Sequence, residues 1–140
     1  MKPIFRQMFI LGLVLITAAA AYANDIQVIV SKDVNVDEIS AEDLKRVFLE
    51  TKTSLGDAKV KPVLQQGGPV HEAFIKQYVG KSDSDLQEYY KGLVFSGKGV
   101  APKVVASDAA VVSFVAMSKG AIGYVSASAI PMGVKKITVK

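Results

Sequence analysis

The 140-residue chain has no cysteine and no tryptophan. Without thiols it can have no disulfide framework, thiolate metal site or cysteine nucleophile. Histidine occurs once, at His71, and lacks partners at metal-ligand spacing. Arginine occurs only at Arg6 and Arg46. The lysines are scattered, which argues against the one-sided basic face of a nucleic-acid binder. The longest apolar run, Met8 to Ala21, is about 14 residues, where a bilayer span needs roughly 20.

That run has another reading. Lys2 and Arg6 precede it, and Ala21-Tyr22-Ala23 follows with small residues at the two positions a signal peptidase reads. Residues 1–23 therefore read as a secretory signal peptide, cleaved after Ala23. This implies an exported protein, periplasmic or outside a Gram-positive cell. No cysteine follows the run, so nothing marks a lipid anchor. Residues 24–140 then form one domain of modest core. Removing Lys2 and Arg6 lowers the net charge from +4 to +2, so the basic character says little about nucleic acid.

Strands and helices alternate along the rest. Ile26 to Val30 reads as a buried strand. Ser40 caps a helix with Glu42 and Asp43 in its first turn and Leu44, Val47 and Phe48 on one face. Thr51 to Lys59 is polar around a Gly-Asp turn, and Val60 to Leu64 is a second strand. Pro69 opens a helix that Gly80 closes. Ser82 caps another, with Leu86, Tyr89, Tyr90, Leu93 and Val94 on its stripe; one tyrosine ring is expected in the core and the other half exposed. Lys103 to Ala106 is a short strand. Ser107 caps a helix facing inward through Val111, Phe114 and Val115. Ala121 to Ser126 and Ile137 to Val139 complete the pattern. This is an α/β architecture, a parallel or mixed sheet flanked by helices.

Two glycine-rich stretches invite a phosphate reading. "GLVFSGKG" (Gly92 to Gly99) matches G-x-x-x-x-G-K but ends in Gly99, where a P-loop holds Mg²⁺ through Ser or Thr. Gly92 lies inside a helical stripe, and Val100-Ala101-Pro102 is a poor helix start. The required strand, glycine turn and helix are out of order, so nucleotide binding is not expected. "LQQGGPVHEAF" (Leu64 to Phe74) has the right order. Amides at Gly68, Val70 and His71 could face an oxyanion, aided by the helix dipole. An ordinary strand-to-helix turn fits the same residues.

His71, in the first turn of that helix, is expected to be solvated. A role as general base would need a nucleophile, and none is evident, though Ser96, Ser107, Ser126 or Ser128 could be near in space. Glu38, Glu42, Asp43, Asp83 and Asp85 read as helix-start acids rather than as a catalytic pair. No enzymatic constellation emerges.

With these segments placed, the chain resembles the phosphate-binding proteins of phosphate ABC transporters. "ISAEDLKRVFLETKTSLGDAKVKPV" (Ile39 to Val63), "GGPVHEAF", "FSGKGVAP" and "SKGAIGYVSASA" (Ser118 to Ala129) carry the likeness, and Gly-Ala-Ile-Gly-Tyr-Val is its most specific part. The match is to a short branch. It implies a single-lobe, type II periplasmic-binding-protein-like domain, no enzymatic activity, no cofactor and a small oxyanion such as phosphate. Ligand-binding positions would be Gly67, Gly68, Val70 and His71, with Lys98 lending charge if its loop approaches. Partners would be a transporter permease or envelope protein, and a homodimer could supply a second half-site. The alternative is an accessory module that keeps the fold and has lost the ligand.

Overall fold

The computed structural model describes residues 26–140; the signal-peptide reading falls outside them. A six-stranded mixed sheet forms the middle layer. Its strands are β1 (Ile26–Val30), β2 (Glu38–Ile39), β5 (Lys61–Gln65), β6 (Lys103–Val105), β7 (Ala121–Ser126) and β8 (Lys135–Val139), in the order β2-β8-β1-β7-β5-β6. β1 runs antiparallel to β7 and β8, while β5 is parallel to both β7 and β6. A separate hairpin, β3 (Ser54–Leu55) and β4 (Ala58–Lys59), folds over the Gly56-Asp57 turn. This is the polar Gly-Asp segment of the sequence. Two residues close the hairpin because Gly56 accepts a φ of 57°.

The helices are α1 (Ala41–Phe48), α2 (Pro69–Phe74), α3 (Asp83–Phe95) and α4 (Asp108–Met117). α2 continues as a π-helical turn over Ile75–Val79, closed by Gly80 in the left-handed conformation at φ 72°. Ser40, Ser82 and Ser107 cap α1, α3 and α4 by accepting the amides of Asp43, Asp85 and Ala110, as their positions before the apolar stripes predict.

Residues alternate between two cores. Along β7, Ile122 and Tyr124 enter the larger core with α1, α2 and α3 residues, and Ala121 and Val125 enter the smaller one beneath α4. β7 is buried on both faces, so it reads as a continuous apolar run. Phe48, Phe74 and Tyr124 form the aromatic centre, with Phe74 stacked on Tyr124 at 3.9 Å between ring centroids.

Two glycines of the Gly-Ala-Ile-Gly-Tyr-Val segment are required by close approach. Gly120 has φ 72°, and a Cβ there would lie 2.0 Å from the Lys59 carbonyl oxygen. A Cβ on Gly123 would lie 2.6 Å from Val111 and 2.7 Å from Val63. Gly123 therefore lets α4 sit directly on the sheet.

α3 buries Leu86 and Tyr90, leaves Tyr89 half-buried and exposes Val94. The two tyrosine hydroxyls donate to the carbonyls of Leu49 and Phe48. These are orphan acceptors at the C-terminal end of α1, so the pair joins α3 to α1. Gly92 lies within α3, and Gly99 leads into a loop and β6 rather than into a helix. The P-loop geometry is absent, as the sequence order requires.

Candidate functional site

The glycine turn leaves the carboxyl end of β5, where ligands of α/β sheets commonly bind. The Gln66 amide donates to the Val105 carbonyl at 2.8 Å and holds the turn against β6. Gly67 and Gly68 are exposed, and Gly68 has φ 96°, a conformation natural to glycine. Pro69 is the first helical residue, and the Glu72 amide closes the turn on the Gly68 carbonyl at 3.0 Å. Among the described residues, no protein acceptor faces the amides of Gly67, Gly68, Val70 or His71. A cleft of about 400 Å³ adjoins them, lined by Ile26, Pro69, Val70, Ala73 and the Ser126–Ser128 segment. Gln27 positions that segment by donating to the Ser126 and Ala129 carbonyls.

The start of α4 lies at the same end of the sheet. The Asp108 carboxylate there accepts Gln65 Nε2 at 2.7 Å and the Ser126 amide at 3.2 Å. This carboxylate ties the start of α4 to the ends of β5 and β7.

His71 is not solvated as the sequence suggests. Its side chain is 1% exposed. The first turn of α2 faces the sheet, so position 71 points inward with Phe74 three residues on. Nδ1 meets the Tyr124 hydroxyl, and Nε2 lies 2.8 Å from an Asp83 carboxylate oxygen. The Gln65 amide donates to the same hydroxyl at 2.9 Å. Burial pushes the Tyr124 phenol above the usual tyrosine range. Asp83 is at a helix start, as expected, and also anchors His71. The sequence gives no sign of this pairing, because 12 residues separate the two. The lone histidine next to an apolar position was the only available hint.

Gly67, Gly68, Val70 and His71 come together at one turn. Lys98 does not join them by any described contact. It follows α3, whose first residue, Asp83, touches His71 and whose 13 residues extend about 18 Å. The Lys98 amide is bonded to Leu93 at the other end, and the neighbouring Gly99 packs near Leu93 and Glu50. Ser96 is at that same far end, whereas Ser126 and Ser128 bond each other at 2.9 Å beside the cleft. The His71 ring nitrogens are both engaged elsewhere, so no serine is activated by it. Among the described residues, no cluster of three or more His, Asp or Glu could hold a metal, and no helix is long and apolar enough to cross a membrane.

No family model matches the chain, and no curated protein does. Solved structures do. A protein from Clostridium perfringens, described as a phosphate ABC transporter substrate-binding protein and solved with phosphate bound, superposes with a TM-score of 0.65 at 21% identity over 82% of this chain and 44% of its own. An ABC-type phosphate transport receptor from Vibrio cholerae gives 0.64 at 20% identity, covering 82% and 46%. PstS from Borrelia burgdorferi gives 0.63 at 15% identity, covering 83% and 47%. The chain spans less than half the length of each of these proteins. The α/β architecture expected from the sequence is present, and the chain has the fold of phosphate ABC transporter substrate-binding proteins.

Proposed function

We propose that this is an exported, non-enzymatic solute-binding-like domain that takes a small oxyanion, phosphate first among them, at Gly67, Gly68, Val70 and His71. The observation that carries the reading is a set of backbone amides without protein acceptors, at the opening of a helix and beside a cleft. Such amides suit an anion's oxygens. The likeness to a protein solved with phosphate supports the same ligand class. Lys98 would contribute through its charge alone. A permease of the ABC type would be the transport partner. Because the chain is less than half the length of its structural neighbours, a second copy would complete the site.

Calorimetry with phosphate, sulfate and small carboxylates tests this. Binding of at least one anion, weakened by Gly68→Val, is expected. No heat and no thermal shift at millimolar anion would overturn it. Export is tested by N-terminal sequencing of protein from the envelope fraction, which should begin at Asn24.

A second reading has its own support: the cleft is lined by no charged side chain. A dehydrated phosphate needs more donors than one turn provides. On this reading the protein is an accessory module acting by protein contact. A stable envelope partner retained by Gly68→Val would favour it over transport.

A further inference from the structure

The "GLVFSGKG" stretch has a use that phosphate binding does not absorb. Between Glu88 and Asp108 there is no acidic residue, while Lys91, Lys98 and Lys103 are all present. The same segment carries Phe95 at 90% exposure, Val100 at 77% and Val94 at 52%. Val104 is also largely exposed, on the free edge strand β6 and on the Leu64 side of the sheet. Phe95 is the last residue of α3. The chain turns behind it through Gly97 in the left-handed region, with the Gly97 and Lys98 amides bonded to Val94 and Leu93. The result is an exposed apolar tip flanked in sequence by Lys91 and Lys98. Lys91 shares its charge with Glu88 at 3.5 Å, both exposed, and Glu50 lies beside Gly99.

We propose that this tip docks on an anionic lipid bilayer, with Phe95 and Val100 in the acyl boundary and Lys91 and Lys98 among the headgroups. Charge complementarity selects this occupant, since Lys91 and Lys98 stand in a stretch without an acid between Glu88 and Asp108, and long lysine stems reach past apolar side chains to an anionic plane. Shape selects it too. A stable protein interface takes about 20–30 residues a side, whereas the exposed apolar tip is the end of one helix and its turn. The groove beneath it, between α3 and Ala101, is only about 190 Å³. The inference is independent of the anion site at Gly68.

The chain contains no tryptophan, so Phe95→Trp installs a single reporter at the tip. With vesicles of phosphatidylglycerol and phosphatidylcholine, its emission should shift to the blue and be quenched by brominated acyl chains. Pure phosphatidylcholine should give little response, and added salt should weaken the effect. Lys91→Gln and Lys98→Gln should each weaken vesicle affinity about fivefold. Phe95→Ser should abolish co-sedimentation of the otherwise unaltered chain. Absence of any blue shift or sedimentation at low salt would overturn the proposal. So would equal binding to neutral vesicles, or a Phe95-dependent dimer in light scattering without vesicle binding.

Discussion

The Tyr124 hydroxyl stands between the Gln65 amide and His71 Nδ1, and only one proton arrangement satisfies all three. The amide can only donate, so the hydroxyl accepts from it and its own proton must go to Nδ1. His71 Nδ1 is then an acceptor, and the ring proton sits on Nε2, directed at Asp83. The chain of bonds joins the end of β5, the centre of β7, α2 and the start of α3.

Tyr124→Phe would leave the buried Gln65 amide and His71 Nδ1 without partners. Each orphaned group costs about 1–3 kcal/mol, so urea denaturation should show a loss of about 2–6 kcal/mol for the two together, with the m-value unchanged. In the parent protein, nitrogen chemical shifts of the imidazole should report the Nε2–H tautomer. An Nδ1–H tautomer would refute the arrangement.

Gly120 and Gly80 share a φ of 72° but differ in surroundings. Nothing lies within 4 Å of a Cβ built at Gly80, while at Gly120 the Lys59 carbonyl oxygen would be 2.0 Å away. Gly80→Ala should cost only the left-handed strain, about 1–2 kcal/mol. Gly120→Ala adds a backbone clash and should cost at least about 1–3 kcal/mol more. Thermal unfolding of the two variants side by side tests the order.

The Ser31 hydroxyl, and after it the Gly120 amide, hold the Asp33 carboxyl below its ordinary range. A depressed folded-state pKa gives stability that is complete above the unfolded value, about 3.9, and is lost as pH falls through the folded one. Asp33→Asn should therefore flatten the acid limb of the stability curve below about pH 4. If the limb is as steep as in the parent, these bonds do not favour the carboxylate.

Glu50 is the only non-glycine residue with positive φ among those described, at 60°, and burial raises its carboxyl above the usual range. Here the sign is opposite. The folded state favours the protonated form, so the ionised carboxylate opposes folding above the folded pKa and the opposition vanishes below the unfolded one, about 4.3. Glu50→Gln should stabilise the protein at pH 7 and give no gain below about pH 4. Glu50→Gly should also relieve the left-handed strain, about 1–2 kcal/mol. A loss of stability in both variants at pH 7 would contradict this reading.

Local chemistry determined much of the protein from sequence alone. Ser40, Ser82 and Ser107 announce their helices because a side-chain oxygen before an apolar stripe satisfies amides that no tertiary contact needs to supply. The apolar run of β7 and the order of strand, glycine turn and helix at Gly67 to His71 are local in the same way, and they sufficed to indicate an α/β fold and the candidate turn. Only tertiary structure decided what lies across from what. His71 was expected in solvent, yet packing turns the first turn of α2 inward and delivers Tyr124 and Asp83, 53 and 12 residues away. Gly92 and Lys98 suggested a phosphate loop by spacing, but α3 carries Lys98 to the end opposite Asp83, next to an exposed Phe95. Spacing along a chain specifies which groups share a turn. Which groups share a site depends on long-range burial, where β7 threads between two cores and Gly123 allows α4 to close upon it.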